Sequence, residues 1–470
     1  MFKIKKFPNT FTILFFLIAL FALLTYILPA GKYVREMNAQ LGREVPIPGS
    51  YEIIESSPQG VFETLMAPIS GFYDPVSGVI GAIDVSLFVL MVGGFLGIVT
   101  KTGAIDTGIA RIMVLLKGRE IYMIPILMVL FALGGTSYGM AEESLAFYGL
   151  MIPIFMTARF DPLVAGSVSG IGTGGGTTRS KRKKGGKGIA SNAAIVDFIS
   201  GIELRFIILA IALVVATAYV MHYARKVQRD PNASLVAHLR KDHEAHFLAG
   251  KPSGDDLAPL TLAQKGVLVL FILTFVIMIY GVSVLGWWMA EMATLFIFMG
   301  ILCGLVGRLK EDDLINSFVA GAADLIGVAL IVGVARGIVV VMEAGNITDT
   351  ILSYAESLVA GKSNVLFINT VYWIEMLLSF IVPSTSGLAV MSMPILAPLS
   401  DFANTGRELV VTAFMSGIGT ILFVTPTYGV LMGGLAIAKI PYITWLKFIA
   451  PLVAFFIVLN SIVLSVGVSL

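Results

Sequence analysis

Two polar breaks in otherwise apolar sequence hold most of the side chains that could bind a solute. Gly134-Gly-Thr-Ser-Tyr-Gly139 offers the hydroxyls of Thr136 and Ser137, and Pro383-Ser-Thr-Ser-Gly387 offers those of Ser384, Thr385 and Ser386. Glu142 and Glu143 follow the first break directly. Hydroxyls and freed backbone groups at such points coordinate a carboxylate or a small ion, and adjacent carboxylates carry protons or meet a cationic group. The competing reading is a Ser/Thr kink satisfied within its own helix, with the carboxylates in an internal salt bridge or at a helix end.

A second set of residues lies where glycines and a proline expose backbone. Ser169-Gly-Ile-Gly-Thr173 is repeated as Ser416-Gly-Ile-Gly-Thr420, and Thr425-Pro-Thr427 follows the second copy. Pro426 removes a backbone donor there. Thr425 and Thr427 are expected to contribute to the solute site. Gly172, Thr173, Gly419, Thr420 and the intramembrane Glu375 are the candidates for coupling an ion. The alternative is close helix packing around a proline kink. Asp84, Asp324 and Arg336 are further charges within long apolar stretches. No HExxH, GxSxG or CxxC motif occurs, so nothing points to an enzyme or to a bound cofactor; Na+ or H+ is the coupling ion expected. His222, His238, His243 and His246 gather in or beside one polar loop, as a metal site or as a solvated linker.

The elements that position these residues must be membrane helices. Of the 470 residues 57% are hydrophobic and only 13% charged, and mean hydropathy is +0.90. A soluble chain of this length needs more charge to cover its surface. The formal net charge of +2 gives no reason to expect a nucleic-acid partner. The single cysteine, Cys303, excludes an intrachain disulfide framework. Lys3, Lys5 and Lys6 precede an apolar run at about 11–28, read as a retained first span, with a signal anchor as the alternative.

The expected architecture is all-α and integral to the membrane, with about 10–12 transmembrane segments in two inverted repeats, each with a re-entrant hairpin and a broken helix. Four similarities in the same order support duplication: Lys101–Ile105 with Glu343–Ile347, the two polar breaks, Met151-Ile-Pro-Ile154 with Met393-Pro-Ile395, and the two Ser-Gly-Ile-Gly-Thr strings. The expected divisions are an N-terminal span and external segment at 1–77, and repeat 1 at 78–222 (hairpin about 121–158, broken helix about 162–200). A cytoplasmic linker at 223–262 and scaffold spans at 263–307 follow. Repeat 2 occupies 315–440 (hairpin about 364–399, broken helix about 408–440), and a C-terminal span 441–470. Lys/Arg-rich loops place the N-terminus, the region after the second span and the long linker on the cytoplasmic side, and the Glu-richer 30–75 outside. The first hairpin then dips in from the cytoplasm and the second from outside.

One segment conflicts with this plan. Arg179, Lys181, Arg182, Lys183, Lys184 and Lys187 fall where a helix break is expected near the midplane, at a cost hydrocarbon does not tolerate. An aqueous loop, a patch for anionic lipid and a shift of reading frame are the three readings.

Several strings resemble the anaerobic four-carbon dicarboxylate carrier family of the ion-transporter superfamily. They are Gly139-Met-Ala-Glu-Glu143, Ile381-Val-Pro-Ser-Thr-Ser-Gly-Leu-Ala389, Arg407-Glu-Leu-Val-Val-Thr-Ala-Phe414 and Thr425-Pro-Thr-Tyr-Gly-Val-Leu-Met-Gly-Gly434. Within that family the chain is most similar to the YfcC-like branch, described as basic amino acid antiporters. The resemblance implies a secondary carrier of the cytoplasmic (inner) membrane for a small carboxylate-bearing solute, an amino acid or a dicarboxylate. It also implies a homodimer in the lipid bilayer, in which a transport part moves against a scaffold. A non-transporting membrane sensor or assembly protein of the same fold is the other reading. Two expected polar tips are missing: the basic run replaces the first, and Leu422 stands where the resemblance implies an asparagine.

Overall fold

The computed structural model describes residues 10–38, 43–73, 82–105, 107–108, 111, 118–138, 141–177, 186–196, 200–248, 260–382 and 384–469. The basic run at 179–184 lies outside them, as do the side chains of Lys187, Ser137 and Ser386.

Apolar runs become helices, and their outer faces stay apolar. Helix α1 (Thr10–Ile27) buries Leu14, Ile18, Phe21, Ala22 and Thr25 along one stripe and leaves Phe16, Leu23 and Ile27 exposed. In water those exposed side chains would be a liability; in lipid they face their own solvent. Among the described residues eight helices are long and apolar enough to cross a membrane. Seven of them are α1, α3 (Ile83–Lys101), α8 (Ile202–Arg229), α10 (Leu262–Tyr280), α11 (Met289–Val306), α13 (Ile326–Ala344) and α15 (Asn364–Ile381), and the eighth is α19 (Tyr442–Gly467). The other apolar helices are shorter. They are α4 (Met123–Tyr138), α5 (Leu145–Thr157), α6 (Pro162–Thr177), α7 (Gly186–Ala193), α16 (Thr385–Phe402), α17 (Arg407–Ile421) and α18 (Gly429–Ile437). These are the segments read from the sequence as hairpin arms and halves of broken helices, and their polar breaks are what shortens them.

Helices α2 (Val61–Tyr73) and α12 (Glu311–Asp324) each precede a long span, and each packs on the other half's span: α2 on α13, and α12 on α3. Small residues four apart line all four faces. A Cβ on Gly97 would lie 2.2 Å from the Ser317 carbonyl, and one on Gly321 would lie 2.3 Å from the Gly93 carbonyl. A Cβ on Gly71 would lie 2.3 Å from the Gly333 carbonyl, and one on Gly337 would lie 2.8 Å from the Ala67 carbonyl. Between apolar helices in lipid, attraction comes from backbone approach and dispersion, so glycine is required at these crossings.

The segment between α1 and α2 departs from the all-helical expectation. Gly31–Asn38 (β1) and Arg43–Ile53 (β2) form an antiparallel ribbon, with Tyr33 opposite Tyr51. It stands on α14 (Thr348–Val359) and α16. Arg35 Nη2 meets both oxygens of the buried Asp349 at 2.8 and 2.9 Å, and the Tyr33 amide donates to the same carboxylate at 3.1 Å. The Tyr33 hydroxyl donates to Glu356 at 2.6 Å. Alternation over only three or four residues, within a charged stretch, made the ribbon hard to read from sequence.

The linker docks against the bundle. Asp161 caps the start of α6 through the Val164 amide and accepts from Tyr223 at 2.7 Å and Ser234 at 2.5 Å. Burial pushes its carboxyl above the usual carboxylate range, opposed by those hydroxyls. His243, on α9 (Arg240–Phe247), is buried and hydrogen-bonds the Lys439 carbonyl at 3.1 Å. Among the described residues no group of three His, Cys, Asp or Glu side chains is arranged to hold a metal.

The glycine crossings give a direct test. Gly321→Leu is expected to destabilise the detergent-solubilised protein by about 1–3 kcal/mol or to prevent a monodisperse preparation, as overpacking does. Gly327→Leu, at a position with no heavy atom within 4 Å, leaves the melting temperature unchanged. Equal melting curves for the two variants would show that the crossing is not tight.

Candidate functional site

Helix α17 ends at Ile421 and α18 starts at Gly429, and the residues between them form the centre of the site. The chain breaks there because Pro426 cannot donate and its ring excludes the residue before it from helix. The freed carbonyls are taken up by α19. Trp445 Nε1 donates to the Phe423 carbonyl at 2.8 Å, and the Tyr442 hydroxyl donates to the Val424 carbonyl.

The break lies against the end of α15, and α18 beyond it packs on α5. Thr425 and Thr427 are fully buried, and their hydroxyl oxygens are 2.7 Å apart. Both lie within reach of the Phe380 carbonyl, at 3.2 and 2.8 Å, where α15 runs out at the second hairpin. On the other side α18 packs on α5, where a Cβ on Gly434 would lie 2.6 Å from the Tyr148 hydroxyl, and Glu142 and Glu143 lie in the turn that leads into α5. The far end of the first broken helix also arrives here, since a Cβ on Gly174 would lie 2.7 Å from the Phe423 ring.

Donors and acceptors are unbalanced in this cluster. The two threonine hydroxyls have two protons between them, used on Phe380 and on each other, while their lone pairs exceed that need. Glu142 is half-buried and Glu143 buried, and both sit in a single 3-10 turn, Glu142–Ser144. One oxygen of Glu143 accepts from the Ala141 amide at 2.9 Å. Hydroxyl and carboxylate oxygens gathered in this way suit a cation or an N–H-bearing group.

The other sequence candidates are placed as follows. The buried Thr136 hydroxyl donates to the Ala132 carbonyl of its own helix at 2.7 Å. Ser384 is the N-cap of α16 and accepts from the Gly387 amide at 3.2 Å, with Thr385 half-buried beside it. Gly172 allows α6 to approach α4, where a Cβ would lie 2.8 Å from Phe131 Cβ. The hydroxyl of Thr173 is buried without a partner. Gly419 is buried within α17. Thr420 belongs to a polar chain that sequence reading missed: its hydroxyl is 3.1 Å from the Tyr372 hydroxyl and accepts from Asn460 Nδ2 at 3.0 Å. A lone asparagine inside the apolar span Tyr442–Gly467 was the available signal. One turn from Tyr372, Glu375 is fully enclosed, and neither carboxyl oxygen has a hydrogen-bond partner of ordinary geometry. Ser392, which donates to Leu388, lies alongside it.

The whole chain bears comparison with known proteins. Residues 7–469 match the family DcuC, the C4-dicarboxylate anaerobic carriers. This chain belongs to that family. It is 32% identical to an uncharacterized protein of Haemophilus influenzae Rd, over 100% of this chain and 98% of that one. It is 30% identical to YfcC of Escherichia coli K12, a protein named as a candidate basic amino acid antiporter, over 97% and 95% of the two chains. Two solved structures align over nearly the full length. The Alcanivorax borkumensis YdaH transporter aligns over 98% of each chain at 14% identity and a TM-score of 0.42. Neisseria gonorrhoeae MtrF aligns over 99% and 96% at 17% identity and a TM-score of 0.45. These likenesses are too remote to transfer a site. As a member of the C4-dicarboxylate anaerobic carrier family the chain is a multi-pass membrane protein of a transporter family. At the place where the family resemblance implies an asparagine, Leu422 is buried at 8% exposure and offers no ligand.

The hydroxyl bridge predicts a stability effect. In Thr425→Val/Thr427→Val the Phe380 carbonyl loses its threonine donor and the bond between the two hydroxyls is removed, and the protein is expected to lose about 1–3 kcal/mol. Thr136→Val, whose hydroxyl only doubles a bond inside its helix, costs less than half of that. Equal losses in thermal unfolding of the two variants would remove the bridge from the account.

Proposed function

We propose that this carrier exchanges a small amino acid bearing a cationic side chain, as a secondary antiporter of the cytoplasmic membrane. The observation that carries the reading is the set of oxygens brought to the 422–428 break and to the turn that leads into α5: Thr425, Thr427, Glu142 and Glu143. The carboxylates answer a guanidinium or ammonium, and the half-helix N-terminus at Ser384 and Thr385 answers the solute's carboxylate. The name of the YfcC relative agrees with this solute class. A dicarboxylate, the solute in the family's name, would bring more negative charge to a cluster already rich in it.

Alternating access follows from the swapped packing of α2 and α12 if the two halves exchange conformations as inverted repeats. The hairpins and broken helices then form the moving part, in a homodimer held by the scaffold spans. Glu375 suits H+ rather than Na+ as the coupled ion. An enclosed carboxyl whose oxygens have no hydrogen-bond partner favours its neutral form, and it can take up one proton and release it when a gap opens to water.

The buried Leu422 and the basic run favour the second reading, a sensor that binds the solute without carrying it.

Proteoliposomes loaded with unlabelled L-arginine test the assignment. Uptake of labelled L-arginine should saturate, depend on the internal amino acid, and be inhibited by L-ornithine but not by succinate. Glu142→Gln/Glu143→Gln should cut exchange at least tenfold with normal insertion, and Thr385→Ala should raise KM. Glu375→Gln should preserve binding while removing the pH dependence of flux. Exchange of succinate indifferent to amino acids would overturn the solute class. Thermal stabilisation by L-arginine without flux would identify the sensor.

A further inference from the structure

Between the ribbon and the bundle lies a half-open cavity of about 290 Å³, on the face that loop charges place outside. Its wall draws on four parts of the chain: Lys32 and Arg35 from β1, Glu343 from the end of α13, Thr348 and Asp349 from the start of α14, and Met391 from α16. Two side chains are cationic and two anionic, so the wall carries both signs and no net charge.

The cavity is built rather than incidental. Asp349 is 5% exposed and held by the Tyr33 amide and by Arg35, so the guanidinium stands at a fixed place in the wall. The Thr348 hydroxyl belongs to a residue only 8% exposed and has no hydrogen-bond partner. A buried hydroxyl left unpaired costs stability unless something else completes it. Lys32 is exposed at the rim. The volume is enough for a molecule the size of one amino acid.

We propose that this cavity binds a zwitterionic amino acid at the external face, at a site separate from the cluster at the 422–428 break. The α-carboxylate faces Lys32 and Arg35, the α-ammonium faces the Glu343 side, and the Thr348 hydroxyl completes one polar group of the ligand. Occupancy bears on the hairpin, because Met391 lies on its returning arm and packs with Tyr33, Leu352 and Ile395. A ligand here therefore joins the ribbon to that arm. The proposal does not depend on the solute assigned to the inner site.

The test uses the full-length protein in nanodiscs, with calorimetric titration of L-glutamine, a zwitterion without side-chain charge. Saturable binding is expected, with succinate and 1,5-diaminopentane each at least tenfold weaker. Thr348→Val should weaken L-glutamine at least fivefold while leaving thermal stability unchanged or raised, because the hydroxyl it removes has no partner. Lys32→Gln should weaken it similarly, and Glu142→Gln/Glu143→Gln should bind as the parent does. No saturable binding would overturn the proposal. So would affinity unaffected by Thr348→Val and Lys32→Gln, or succinate binding as tightly as L-glutamine.

Discussion

A helix interrupted inside lipid must find a partner for every backbone group it frees, and this requirement organises the protein around residues 422–428. The carbonyls of Phe380, Phe423 and Val424 are satisfied by side chains: Thr425 and Thr427, Trp445 and Tyr442. These bonds tie α19, the second hairpin and the broken helix to one point. Through α18 the same break packs on α5, whose leading turn holds Glu142 and Glu143. The polar chemistry available to a solute is thus a by-product of how the break is made tolerable.

The rest of the fold keeps that point in place. Helices α2 and α12 cross onto each other's following span through glycines whose backbones touch, which fixes α3 and α13 beside one another. Helix α7 packs on α16 and α17, and α18 packs on α13 and α5. Ala190, Phe414 and Met393 share one apolar cluster for this reason. Such an interlocked arrangement has few ways to shift, and those few are rigid displacements of whole helices.

Much of this was legible in the residues. Long apolar runs announced the spans, and the polar breaks marked where helices stop: α4 ends at Tyr138 and α15 at Ile381, beside the clusters singled out for their hydroxyls. Thr425-Pro-Thr427 was readable because proline and threonine together signal a break. Partners distant in sequence were not readable. Nothing about Thr427 names Phe380 as its acceptor, and nothing about Thr420 names Tyr372 and Asn460. Thr136 has the same chemistry as Thr425 but spends its hydroxyl on its own helix, a difference only the packing decides. The ribbon escaped notice because its anchor, Asp349, lies more than 300 residues from Arg35.

The central claim is that solute reaches the break between α17 and α18. Cys303, the sole cysteine, is buried, and Cys303→Ala provides a background in which Tyr428→Cys is the only thiol. The rate at which a small cationic methanethiosulfonate modifies that thiol in proteoliposomes should fall severalfold in saturating L-arginine and be unchanged in succinate. A rate indifferent to L-arginine in a variant that still exchanges it would place the solute elsewhere and contradict the account.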